Sequence, residues 1–181
     1  DKFLIFDGAM GTMLQACGMK AGELAERYNI EKPEIIGRIH RAYSAAGVDV
    51  ITTNTFGANQ YKLADTGLVL TDVITAAVEI AKRAAPDKIV ALDIGPLGQL
   101  MEPYGSLSFR EQIIVGAAAG ADLVIIETMS DLYEAKAAIL AAREHSKLPI
   151  ICTMTFQADG RTLTGADPLT MVNILQSLGV A

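Results

Sequence analysis

Residues 123–144 read Leu123-Val124-Ile125-Ile126-Glu127-Thr128-Met129-Ser130-Asp131, then LYEAKAAILAARE: a short apolar run, a carboxylate at its end, and a segment with helical spacing. Asp131 stands where a helix N-cap belongs, and Glu134 is spaced from it like the second half of a capping box. One βα unit is legible in these residues. Working outward, the same unit recurs along the chain. Strands are expected at Phe3–Phe6, Val48–Thr52, Lys88–Leu92, Leu123–Ile126 and Pro149–Met154. All five are nearly continuous apolar runs, as parallel strands covered on both faces require.

Helices are expected between them. Over Glu34–Ala46 an apolar stripe carries Ile35, Ile36, Ile39, Ala42 and Tyr43, and Gly47 follows as a left-handed stop. Thr71–Ala85 repeats the pattern, with Thr71 as N-cap and Pro86 just past the end. A last helix opens at Asp167-Pro168, an N-cap followed by proline at the first helical position, and stops near Gly179. Nothing in the composition divides residues 1–181 into two domains.

Polar residues collect at one end of these strands: Asp7-Gly8-Ala9-Met10-Gly11-Thr12, Asn54-Thr55, Asp93 and Glu127-Thr128. Parallel α/β sheets bind ligands at their carboxyl ends. A doubly wound sheet concentrates its site at one switch point, whereas here at least four strands contribute. The pattern therefore predicts a TIM-barrel, (βα)8-type fold of which about the first five βα units are present, since such barrels need about 250 residues. Val180-Ala181 would approach a sixth strand.

The chain has 181 residues, 51% of them hydrophobic, and a formal charge of -6 without any basic block, so nucleic acid and anionic membrane are excluded as general partners. No apolar run approaches about 18 residues, and the chain starts on a strand-like segment rather than a leader. The two cysteines, Cys17 and Cys152, belong to no metal-binding spacing and suit a reducing, cytoplasmic setting. Both read as small hydrophobes. His40 and His145 lie on helices and read as packing or surface residues, and Met10, Met13 and Met19 as packing residues.

The glycines after the first strand do not make a dinucleotide fingerprint. Asp7 either caps the following helix or, with nearby backbone N–H groups, grips the amine and carboxylate of a small zwitterion. Glu127 ends an apolar strand, where a carboxylate is costly to desolvate without a cation or donor, so it is the foremost site candidate. Asp93 could serve function or cap the Gly95-Pro96 turn, and Asn54 could bind ligand or loop backbone. Ala9, Thr12, Thr55 and Thr128 are further strand-top candidates. The Gln157–Thr162 loop is a lid or a plain Asp-Gly turn.

The blocks Phe6-Asp7-Gly8-Ala9-Met10-Gly11-Thr12, Ile39-His40-Arg41-Ala42-Tyr43, Thr52-Thr53-Asn54-Thr55-Phe56-Gly57, Asp93-Ile94-Gly95-Pro96, Ile126-Glu127-Thr128 and Leu163-Thr164-Gly165-Ala166-Asp167-Pro168 resemble the homocysteine S-methyltransferase family. Within it they are most similar to the N-terminal homocysteine-binding domain of the cobalamin-dependent methionine synthases. The resemblance implies a (βα)8 barrel that transfers a methyl group to homocysteine sulfur, held on zinc as a thiolate, to give methionine. It implies that Asp7, Gly8 and Glu127 hold the amino-acid end of homocysteine. Methylcobalamin and methyltetrahydrofolate would be carried by other modules of a larger protein.

The family's zinc cysteines follow the sixth strand and sit near the last, positions that neither Cys17 nor Cys152 matches. No metal ligands are therefore expected among residues 1–181, and this segment alone is expected to be inactive. The stretch Gly105–Gln112 reads as short for the helix-bearing connection the family has there. Alternatives are a homocysteine methyltransferase with another methyl donor, a barrel lyase or aldolase using Asp93 and Glu127 with a hard metal, or a truncated barrel without catalytic activity.

Overall fold

Four of the five apolar runs become strands because their two faces are covered by different partners. In the computed structural model, which describes residues 3–98 and 105–180, four strands form one parallel sheet: β1 (Val50–Thr52), β2 (Ile89–Ile94), β3 (Leu123–Met129) and β4 (Ile150–Met154). Their order is β1-β2-β3-β4, with Val50 opposite Ile89, Ala91 opposite Leu123 and Val124 opposite Ile150. Strands laid down in chain order, all parallel and without a switch point, form the wall of a TIM barrel rather than a doubly wound sheet.

Among the described residues the helices are α1 (Met10–Ala16), α2 (Tyr28–Glu31), α3 (Pro33–Ala45), α4 (Gln60–Leu63), α5 (Leu70–Ala84), α6 (Gly105–Ala118), α7 (Leu132–His145) and α8 (Pro168–Ser177), with a 3-10 turn at Ala25–Arg27. None among the described residues is long and apolar enough to cross a membrane. Side chains alternate along the strands. Ile51, Val90, Leu92, Ile94, Val124 and Ile126 join Ile74, Val78, Phe109, Ile113 and Ile139 in the main core under the helices. Val50, Ala91, Leu123 and Ile125 form a second cluster with Phe6 and Ile151 on the opposite, interior face. Each fully buried Ile or Leu contributes about 1.5–3 kcal/mol relative to exposure.

Several boundaries differ from the sequence expectation. The first run, Phe3–Phe6, keeps only one bridge, Phe6 to Val50, although Val50 N–H donates to Ile5 O at 3.1 Å and Asp7 N–H to Val50 O at 3.0 Å. Phe3, Leu4 and Ile5 are 92%, 50% and 58% exposed, so the run lacks the burial that would extend its ladder. Helix α5 starts at Leu70 with no side-chain cap, so Thr71 is inside its first turn. Leu68 and Leu70 pack on the core there, and that burial outweighs a hydroxyl cap.

The capping box on α7 is half formed. Asp131 caps Tyr133 N–H at 3.3 Å, but Glu134 turns inward and accepts from Leu97 N–H at 2.8 Å. At α8 the expectation holds, with Asp167 accepting from Thr170 N–H at 2.9 Å and Pro168 at the first helical position. Gly47, at φ +95°, stops α3. Residues 105–112 are the first turns of α6; the connection before them, 99–104, lies outside the described residues, as does Ala181.

Candidate active site

The interior row of each strand changes character at its carboxyl end. Two residues beyond Val50 stands Thr52, two beyond Ala91 stands Asp93, and two beyond Ile125 stands Glu127. Period-two alternation puts these on the face of the interior cluster. With Asp7, Gly8, Ala9, Met10 and Thr53 they line a cleft of about 210 Å³. An adjoining mouth of about 310 Å³ shares Asp93 and Glu127 and adds Glu26, Asn54, Phe56 and Thr128. Neither lining contains Lys, Arg or His.

Asp7 does not cap α1, whose N-cap is Ala9 without a side-chain bond. Both its carboxylate oxygens lie 3.0 Å from Thr52 N, which donates to them and ties the first segment to β1. Burial raises the Asp7 carboxyl above its ordinary value, partly offset by the Thr52 bonds. Gly8 is needed for a close approach, because a Cβ there would lie 2.9 Å from Tyr43 Oη. Tyr43 in turn donates to Ala9 O at 3.4 Å, pinning the turn from outside.

Glu127 is half-buried inside β3, not beyond its end. Ile126 pairs with Cys152 and Met129 with Met154, so three steps on β3 match two on β4. That bulge returns Met129 to the helix-facing core while Glu127 stays on the interior face. Thr128 absorbs the extra residue at φ +62°, a conformation a β-branched residue rarely adopts, and its N–H donates to Thr153 Oγ1 at 3.0 Å. Burial, and then the Asp7 charge, raises the Glu127 carboxyl.

Asp93 is only 5% exposed. Its backbone is clasped by a hydroxyl pair: Asp93 N–H donates to Thr53 Oγ1 at 3.1 Å, and Thr55 Oγ1 donates to Asp93 O at 2.7 Å. Its Oδ1 is buried with no hydrogen-bond partner among the described residues. Burial holds its carboxyl well above the usual range, with Glu127, Glu26 and Asp7 adding to the effect and Lys62 opposing it.

The remaining candidates separate. Thr128 and Ala9 line the mouth. Asn54 also borders it, but its side-chain amide is occupied, donating to Ala25 O at 2.8 Å and Asn29 Oδ1 at 2.9 Å. Thr55 is fully buried behind Asp93, and Thr12 is exposed on α1; neither lines the cleft. Met10, expected only to pack, lines both parts.

Glu26 went unread in the sequence. It is 4% exposed, accepts from Gly57 N–H at 2.5 Å, and is raised by burial. No local pattern marks it, because its burial comes from the Ala25–Arg27 turn folding over the loop after β1.

His40 is fully buried on α3, and burial pushes it down to about 4, so it is a neutral packing side chain outside the cleft. Burial pushes the Cys152 thiol up to about 11, which makes it inert. Cys17 accepts from Arg38 Nη2 at 3.2 Å at the end of α1. The Gln157–Thr162 loop is a closed turn, with Gln157 N–H donating to Arg161 O at 2.8 Å. Among the described residues no group of three or more His, Cys, Asp or Glu could hold a metal ion. The cleft is thus suited to a small cationic group, held by carboxyls from three segments.

Comparison with known proteins agrees with this architecture. The family model for homocysteine S-methyltransferase matches residues 4–181. Methionine synthase from Mycobacterium leprae is 30% identical and that from Mycobacterium tuberculosis 29%, each across 99% of this chain. The chain spans 17% of the length of those relatives. Among solved structures, the metallated form of the homocysteine methyltransferase MmuM from Escherichia coli is 22% identical and superposes with a TM-score of 0.84, covering 97% of this chain and 71% of that one.

Proposed function

The chain belongs to the homocysteine S-methyltransferase family, and on that premise we propose that residues 1–181 are the homocysteine-binding part of a barrel that methylates homocysteine to methionine. The observation that carries the reading is the cleft itself: carboxyls from the segment before α1, from β2 and from β3 converge with no cation in the lining. Homocysteine supplies the missing cation as its ammonium group. Glu127 and Asp7 accept from that ammonium, and backbone N–H groups of the Gly8-Ala9 turn take the carboxylate. The sulfur end then points away from the acidic floor, where a thiolate would be repelled.

The chain's own residues thus bind and orient the amino acid. They do not fit the zinc the family implies, since no donor set exists among the described residues. We place the zinc ligands on cysteines outside this segment, and methylcobalamin and methyltetrahydrofolate on other modules of a larger, cytoplasmic protein. The length of the methionine synthase relatives supports that arrangement. On this reading the segment alone is inactive.

Titration calorimetry with L-homocysteine tests the assignment. Glu127→Gln in the intact protein should raise Kd by about tenfold or more, the value of one charge-assisted bond, while zinc content stays unchanged. Undiminished homocysteine affinity would sink the role given to Glu127.

A further inference from the structure

Asp93 is not among the residues to which the family resemblance gives a role, yet it is the most deeply buried of the three carboxyls lining the inner cleft. Its Oδ1 has no hydrogen-bond partner among the described residues, although its backbone is clasped on both sides. A buried oxygen left bare costs about 1–3 kcal/mol. Such a cost persists where the atom has a partner that comes and goes. We propose that Asp93, whose unpartnered Oδ1 belongs to a residue lining the cleft, is a further binding residue for the substrate ammonium, and that amino-acid binding expels one proton. This inference rests on the homocysteine reading of the cleft.

The charges around Asp93 explain the exchange. Glu127 faces it from β3, Glu26 from the Ala25–Arg27 turn and Asp7 from the segment before α1. Lys62, on α4, opposes them, and it does not line the cleft. Burial and these neighbouring carboxyls therefore disfavour a negative charge on Asp93 while the cleft is empty. An ammonium reverses the balance, because it offers three N–H donors to carboxyls that lack a cation. The step balances as Asp93–COOH plus R–NH3⁺ giving Asp93–COO⁻ paired with R–NH3⁺ and one proton released to solvent. No bond in the substrate changes.

L-methionine is the suitable probe, because it carries the same amino-acid end without a thiol that would itself release a proton. Calorimetry of the intact protein in buffers of different ionisation enthalpy counts the protons. Wild type should release about half a proton or more beyond Asp93→Asn, and the variant should bind about tenfold more weakly. Asparagine is isosteric with the neutral carboxyl, so the melting temperature should not fall. Equal affinity and equal proton release in Asp93→Asn overturns the proposal while leaving the homocysteine reading in place.

No methionine or homocysteine binding by wild type overturns both. Should Asp93→Asn not fold, wild type alone decides: its Kd for methionine should tighten as pH rises above the ordinary carboxylate range. A flat profile overturns the proposal.

Discussion

At φ +62°, Thr128 occupies a conformation that β-branched residues avoid, one step after the carboxylate that reaches the cleft. Backbone strain of this kind persists only where the surrounding structure imposes it. Here the imposing demand is register: Ile126 and Met129 must both face the helices, and only an extra residue between them allows it while Glu127 faces the interior. Thr128→Gly should keep the bulge and remove the strain. Offset by glycine's chain entropy, the gain should be about 0.5–1 kcal/mol, seen as a higher denaturant midpoint. The backbone bond from residue 128 to Thr153 survives this substitution, so a loss of stability would mean that glycine's chain entropy or lost packing of the threonine side chain outweighs the strain.

Between elements, the position of the site depends on how closely helices lie on the sheet. Helix α6 meets β2 through Gly116, where a Cβ would stand 2.3 Å from Leu92 Cδ2. Leu92 immediately precedes Asp93, so this contact sets the height of the strand that carries the buried carboxyl. Gly116→Ala should destabilise the fold by about 1–3 kcal/mol through overpacking. It should also weaken amino-acid binding, because the fully buried Leu92 has to shift beside Asp93. An unchanged urea midpoint would show that α6 slides freely on the sheet.

Across the whole molecule, two sets of buried groups respond to acid in opposite directions. His40 ionises at about 4 in the fold against 6.5 in the unfolded chain, so the unfolded state binds the extra proton between those values. Its contribution is intact above pH 6.5 and lost on acidification, by about 3 kcal/mol at pH 4. Asp7, Glu26, Asp93 and Glu127 are raised instead, so the folded state holds more protons. Their contribution is full below their unfolded values and is lost as pH rises through the folded ones. His40→Leu should therefore remove the acid-sensitive term and leave a protein more stable, relative to wild type, at about pH 5 than at pH 7. Parallel stability–pH curves for the two proteins would contradict the buried neutral state of His40.

Much of the architecture is legible in order along the chain. The apolar runs at β1 to β4, the caps at Asp131 and Asp167-Pro168, and the carboxylates Asp7, Asp93 and Glu127 are local signals, since strand alternation and helix capping depend on residues a few places apart. Those signals also located three carboxyls of the cleft. Other features depend on partners far away in sequence. Glu26 reaches the site because Gly57 meets it, and Glu134 leaves its capping box because Leu97 N–H is bare. Asn54 and Thr55 are taken by Asn29 and by Asp93 O before any ligand could use them. The bulge at Thr128 exists only once β3 and β4 are paired. Sequence alone therefore determined strands β1 to β4, helices α3, α5, α7 and α8 and an acidic rim; the tertiary structure decided which polar atoms remain free, because a hydrogen bond made across the fold removes a group from chemistry that its own neighbours would have allowed.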